Sequence, residues 1–272
     1  MVRMERKSDA LKLITSISLV LLFLCFWFIV PAYAGNDDGN YQEVGVWWIN
    51  DYHLFPPPGL DNLDHCDEDA EGFYNLLISS MGYTGRFDLG DFNAWETDWE
   101  KSSVGGRDYD FVDTCDCVYF AGHGSPSSFF FGEDHDGDDN YEFRVHYTEV
   151  GWGDMDLEWA FISACEVLNH NTYTVWAQAF NDLHGITGFD TPMFDTADLG
   201  WRFALYGYYG YCIGDSWKYA TEDDQPWGVW AAIYRLRANV PGWGDTDLYY
   251  EWIAGFGPDG VEITKLYNNW PC

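Results

Sequence analysis

An α/β fold with a mainly parallel, doubly wound sheet is predicted by three observations. Apolar strand-like runs alternate with segments of helical periodicity, the order that βαβ units produce. Two apolar strands, "CDCVYFA" (115–121) and "LEWAFISA" (157–164), run directly into reactive side chains. In open parallel sheets, sites gather at such carboxyl ends. Finally, neither a linker nor an internal repeat divides residues 35–272, so they read as a single domain.

The elements follow in order. "VGVWWIN" (44–50) is a first strand, and the Pro-rich "LFPPPG" (54–59) is a loop. Ala70, Phe73, Tyr74, Leu77 and Ile78 recur at helix spacing, which predicts a helix over 67–80. Acidic residues fill its first turn, and "MGYTG" stops it. Residues 83–110 are polar and turn-rich, a crossover with a helix around 93–101. After the strand at 115–121, "FFFGEDHDGDDNYEF" (129–143) reads as a hairpin or insertion with an acidic tip. The strand at 157–164 leads to a helix near 173–184 and a short strand "GITGF" (185–189). Helices near 197–209 and 215–220 and a strand "GVWAAIYRL" (228–236) complete the series. The tail, 237–272, carries no clear pattern.

The amino end has the form of an export signal. Arg3, Arg6, Lys7 and Lys12 precede the apolar run "LITSISLVLLFLCFWFIV" (13–30), and "AYA" (32–34) places small residues at a cleavage site before Gly35. A run of this length can also serve as an uncleaved anchor. Either reading puts the remainder outside the cytoplasm, secreted or anchored, with no membrane insertion once the signal is removed.

The formal charge is −32, from 45 acidic and 13 basic residues. That excludes nucleic acid and anionic lipid as main partners, since both need basic patches. Aromatic residues make up 19% of the chain, too many for one core to hold with every polar atom satisfied, so a good share is expected at the surface. Beyond the signal, Cys66, Cys115, Cys117, Cys165, Cys212 and Cys272 remain. In an exported protein these are expected to pair as disulfides, unless one is a working thiol. Cys115 and Cys117 alternate around Asp116 and so are expected on one face of their strand.

The two reactive strand ends carry the chemistry. "VYFAGHGS" ends in His123 and "AFISACE" in Cys165. A thiolate is the nucleophile, and a neighbouring imidazole promotes it and passes the proton on to the leaving group. The tetrahedral oxyanion needs backbone donors, which the amides of Gly124 and Cys165 can supply. Ser125, Ser163 and Glu166 flank the pair as candidate substrate-binding residues. This pattern, an apolar strand ending in His-Gly and, some forty residues on, another ending in Ala-Cys, resembles the caspase-like cysteine peptidases: caspases, legumains, gingipains, clostripain-like enzymes and separases. The legumain and gingipain versions are nearest in motif. The resemblance spans roughly 110–190. It implies a caspase-like three-layer α/β/α sandwich and a His123–Cys165 dyad that hydrolyses peptide bonds in a peptide or protein substrate.

Against the resemblance, Val167 and Leu168 follow Glu166 where several relatives carry small residues. The "NDYHLFPPPG" loop lacks the arginines with which caspases select aspartate. A basic residue before the scissile bond suits this acidic chain better. An inactive scaffold on the same fold and an aromatic glycan binder using "ALYGYYGYCIGDSW" (204–217) stand as alternative functions. The dyad requires no cofactor. Asp134, Asp136 and Asp138 are close enough in sequence to hold calcium, although the segment is not an EF-hand loop. No zinc motif is present.

Overall fold

The computed structural model describes residues 42–52, 60–132 and 143–272. The expected export signal, the Pro-rich loop and the acidic tip with Asp134, Asp136 and Asp138 lie outside the described residues. Residues 35–272 form one compact unit. Among the described residues, no helix is long and apolar enough to cross a membrane.

The fold is mixed α/β around a mainly parallel sheet. Strand β1 (Glu43–Trp48) leads to helix α1 (Cys66–Leu76) and edge strand β2 (Thr84–Gly90). Strand β3 (Cys117–Ala121) is followed by a small antiparallel sheet of β4 (Gly124–Ser125), β5 (Ser128–Phe130) and β6 (Arg144–His146). Next come β7 (Trp159–Ser163), β8 (Gly185–Phe189), α2 (Leu199–Tyr208), α3 (Ile213–Asp224), β9 (Trp230–Val240), β10 (Gly244–Asp247) and β11 (Val261–Pro271). In the large sheet β2, β1, β3, β7 and β8 run parallel in that spatial order. Strand β9 then joins β8 antiparallel and also pairs with β10 and β11.

Alternation along the strands sorts their side chains into two cores. Val44, Val46, Tyr119, Phe161 and Phe189 face α1, α2 and α3. There Phe73 of α1 stacks on Tyr119 and Phe203, with ring centroids 5.0 and 5.6 Å away. Trp47, Val118, Phe120, Ala160 and Ile162 face the other way. That second face is covered by 3₁₀ turns, loops and the small sheet instead of the expected α-helices at 93–101 and 173–184. The first is replaced by turns at Asp91–Asn93 and Glu96–Asp98, the second by a 3₁₀ run over Tyr173–Ala179. Packing explains the change. Trp99 packs within 5.1–6.1 Å of Trp47, Phe120, Phe129 and Trp152, and so wide an indole layer leaves little room for a regular helix barrel.

The expected helix 67–80 ends as an α-helix at Leu76, widens to a π turn over Leu77–Met81, and stops at Gly82, whose φ of 85° is the left-handed conformation glycine adopts freely. The six cysteines are free thiols. Cys115 and Cys117 do not share a face: Cys115 sits in the indole-side core and Cys117 in the helix-side core, because the chain enters β3 only at Cys117 and strict alternation does not reach back to Cys115. The expected disulfides are therefore not formed among these six. Trp residues divide as anticipated: Trp47, Trp99, Trp152, Trp159, Trp176 and Trp217 are fully buried, while Trp227, Trp243 and Trp252 are exposed.

At the amino ends of the strands, His184 is buried against Glu251, with Nδ1 2.9 Å from Oε2, and Asp259 stands 3.4 Å from Nε2. Glu251 also accepts from Trp159 Nε1 at 2.7 Å and from the Gly257 amide at 2.6 Å. These bonds anchor the 248–260 segment to the sheet. Burial opposes a charge on His184, but the two carboxylates outweigh it and push its pKa up to about 10. The pair's contribution is therefore complete below pH ~6.5, the unfolded value, and declines as pH rises toward about 10. Glu251→Gln is expected to cost about 3–5 kcal/mol in urea unfolding at pH 6 and to flatten the fall in stability between pH 6.5 and 9.

Candidate active site

The pairing of β3 with β7 sets the geometry. Ala121 is in register with Ser163, and the Gly122 amide extends the ladder to the Ser163 carbonyl at 3.2 Å. His123 and Cys165 each stand two residues beyond that pair, on neighbouring strands whose spacing is about 4.8 Å. Both line one cavity of about 70 Å³. Gly124 lies directly against the Cys165 backbone. A Cβ there would stand 2.6 Å from the Cys165 carbonyl oxygen and 3.0 Å from its nitrogen, so only glycine fits.

The histidine is held on three sides. Its amide donates to the Tyr52 hydroxyl at 2.9 Å, and that hydroxyl donates to the Phe130 carbonyl at 3.1 Å. Its carbonyl accepts from the Phe130 amide at 3.0 Å. The imidazole packs on the Tyr52 ring, with centroids 4.8 Å apart. Nε2 lies 2.8 Å from the Asp61 carbonyl oxygen. A carbonyl only accepts, so Nε2 carries the proton and Nδ1 keeps the lone pair of the neutral ring. Asp61 thus fixes both the ring's orientation and its tautomer.

Cys165 is half-buried. Its sulfur accepts from the Met193 amide at 3.3 Å, and its thiol points to the Met193 carbonyl at 3.7 Å. Burial pushes the thiol pKa up, the Met193 amide works the other way, and the Glu166 charge raises it further. The resting sulfur is therefore protonated at neutral pH. Glu166 itself has a φ of 59°. It sits in a turn, and its amide donates to the Thr191 carbonyl. A left-handed glutamate beside Cys165 is backbone strain stored at the site.

Of the three residues expected to touch substrate, Ser163 lines the cavity and Ser125 and Glu166 do not. The Ser125 hydroxyl donates to the Ser128 carbonyl within the small sheet. The sequence reading missed Leu63, Cys66, Asp69, Met193, Asp195 and Thr196, which also line the cavity. Asp69 is buried on α1. It accepts from Tyr119 through both oxygens at 3.1 Å and from the Gly200 amide at 2.5 Å, and burial lifts its pKa to about 7. Asp195 accepts from the amides of Asp64 and His65 at the start of α1, at 2.6 and 3.1 Å, where the helix dipole favours a negative charge. One signal was available: "DNLDHCDED" follows the carboxyl end of β1 and "TPMFDT" that of β8, where the sites of parallel sheets form.

The class these features define is an α/β protein that presents a histidine and a cysteine at adjoining strand ends above an acid-lined cavity. Residues 46–270 match the family described as "Domain of unknown function (DUF6345)", and the chain belongs to that family. A comparison with curated proteins finds no match. Among solved structures the chain is similar to pro-sf-caspase-1, at 12% identity and a TM-score of 0.40 over 70% of this chain and 81% of that one. It is also similar to caspase-1 from Spodoptera frugiperda, at 12% identity and a TM-score of 0.38 over 71% and 83%. A secreted C11 cysteine protease from Bacteroides thetaiotaomicron, solved with an irreversible peptide inhibitor, is similar at 10% identity and a TM-score of 0.38 over 71% and 66%. Likeness this distant assigns no residue roles.

The raised thiol sets a measurable expectation. Iodoacetamide labelling of Cys165, followed by peptide mass spectrometry, should quicken steadily as pH rises above 8. Glu166→Gln, which removes a charge that raises the thiol, should shift that profile toward lower pH.

Proposed function

We propose that this protein is an exported cysteine endopeptidase of the caspase/gingipain type. The observation that carries the reading is the in-register placement of His123 and Cys165 beside one cavity, with the imidazole tautomer set by Asp61. In the proposed reaction His123 takes the Cys165 proton as the substrate carbonyl arrives, and the thiolate attacks. The Gly124 and Cys165 amides hold the oxyanion. His123 then protonates the leaving amine, and water hydrolyses the thioester. A thiol held high by burial fits this order, because its proton moves only once the substrate has excluded water.

Asp69 and Asp195 support a finer reading, a basic side chain before the scissile bond. The Asp195 carboxylate is anchored by two backbone amides and stands ready for a guanidinium or ammonium group, while Asp69 lies on the cavity floor. A substrate aspartate would meet like charge there.

Activity on a peptide panel tests both levels. Cys165→Ala should abolish cleavage, and His123→Ala should lower kcat/KM by about 10²–10⁴-fold. Arg- or Lys-ended peptides should be cleaved in preference to Asp-ended ones. Asp195→Asn should weaken that preference by about 10–100-fold, the worth of one charge-assisted hydrogen bond. Cleavage that survives Cys165→Ala would overturn the peptidase reading, and a preference for Asp-ended peptides would overturn the basic specificity alone.

A further inference from the structure

The stretch "ALYGYYGYCIGDSW" (204–217) has no part in the peptidase reading, yet its Asp215 opens onto a cleft of about 460 Å³, several times the volume of the cavity beside the dyad. No residue lines both. Helix α3 gives the cleft Asp215 and Lys218. Strand β9 gives Arg235, β11 gives Asn268, and the 3₁₀ turn Leu248–Tyr250 gives Tyr249 and Tyr250.

The polar groups are set in place by one another. Arg235 is 4% exposed. It grips Asp247 with two parallel bonds, from Nε to Oδ1 at 2.9 Å and from Nη2 to Oδ2 at 2.8 Å, and its Nη1 donates to Asn268 Oδ1 at 2.6 Å. The Tyr249 ring packs 5.2 Å from the guanidinium carbon, and the Tyr249 hydroxyl donates to Asp215 Oδ1 at 3.0 Å. A guanidinium has five N–H donors. These bonds use three, so a buried cation keeps two donors without an acceptor among the described residues. Asn268 spends its oxygen on Arg235, which leaves its amide nitrogen to donate. Asp215 can only accept, and Lys218 can only donate. The contact of Lys218 with Glu222, 3.8 Å between two side chains each more than a third exposed, is weak.

This wall therefore needs a ligand that gives and takes hydrogen bonds at neighbouring atoms, which is what adjacent hydroxyls do. Charge points the same way. Asp215 and Lys218 stand three residues apart on one face of α3, and Asp247 balances Arg235, so the cleft has no net charge to match an ion. The formal charge of −32 on the chain opposes an anion from a distance. Tyr250 is 66% exposed, and Tyr249 props it edge to face with ring centroids 5.1 Å apart. An aromatic ring held open in this way has a negative face that suits the slightly positive C–H face of a sugar ring. We propose that this cleft binds a neutral pyranose unit of a glycan. Tyr250 carries the ring, Asp215 and Asn268 bond its hydroxyls, and Arg235 donates from the floor. The site is separate from the dyad and does not rest on the peptidase reading.

The test uses the full chain on an array of neutral hexose and N-acetylhexosamine oligosaccharides, with uronic-acid and sialylated oligosaccharides beside them. Neutral glycans should bind and the charged ones should bind far more weakly. Isothermal titration with the strongest neutral binder should show affinity lower by about tenfold or more in Tyr250→Ala and in Asp215→Asn. Tyr250 lies outside the core and asparagine keeps the shape of aspartate, so both variants should melt where the unaltered chain does. Lys218→Met, at a partly exposed position, should show a similar loss should either of them melt lower. Cys165→Ala should bind in full. No binding to any neutral glycan, tighter binding to the charged set, or an affinity unchanged in Tyr250→Ala and Asp215→Asn would overturn the assignment.

Discussion

Strands β3 and β7 pair parallel, Ala121 against Ser163, and most of what matters in this molecule follows from that register. It brings the two residues that leave the sheet, His123 and Cys165, to the same height on neighbouring strands. It lays Gly124 against the Cys165 backbone so closely that a side chain would collide. At the other end the same register aligns Asp116 with Glu158. A slip of one residue would exchange the two faces of β7, sending Ala160 and Ile162 toward the helices and Trp159 and Phe161 into the indole layer. The placement of His123 beside Cys165 is thus set by core packing on both faces, and contacts within the site then fix the imidazole's orientation.

The two faces do this in different ways. On one, α1, α2 and α3 bury a conventional set of aromatic and aliphatic side chains. On the other, large rings packed edge to face take the place of helices, and 3₁₀ turns follow their contours. Several indoles carry their polar atom into the interior and find a partner there: Trp47 donates to Asp98, Trp152 to the Trp99 carbonyl, and Trp159 to Glu251. The Trp47 and Trp159 bonds bind a loop to the sheet, and the Trp152 bond ties two loops together. An acidic chain with few basic residues uses its carboxylates as acceptors for indoles, tyrosines and backbone amides, and so places much of its negative charge inside. Asp69, Asp98 and Glu251 are all of this kind.

Much of this was legible in the sequence. Strands β1, β3, β7 and β8 are apolar runs buried on both faces, and they stand out for that reason. The helices α1, α2 and α3 carry amphipathic spacing. Strands β2 and β11 were missed because they are edges. In β11 nearly every residue from Val261 to Asn269 is at least partly exposed, so the hydrophobic alternation that marks a strand is absent. The helices expected on the second face were lost because local propensity yields to the packing of Trp99, Trp152 and Trp176. Nothing local marks Glu166 for its turn: its amide is drawn to Thr191 and its backbone turns left-handed.

By itself, the sequence determined a mixed α/β fold and which two side chains, His123 and Cys165, stand just beyond the ends of β3 and β7, because both rest on local signals: apolar strands and the residues at which they end. Only the tertiary structure decided which nitrogen of His123 is free, since that depends on the Asp61 carbonyl, 62 residues away along the chain. It also decided that Asp69 and Asp195 meet at one cavity, and that oxygens of Glu43, Asp116 and Asp156 lie within 4.8 Å of one another. These residues lie on different strands, helices and loops. No local pattern joins them, and their proximity comes from strand order and register, which the packing of two whole cores selects.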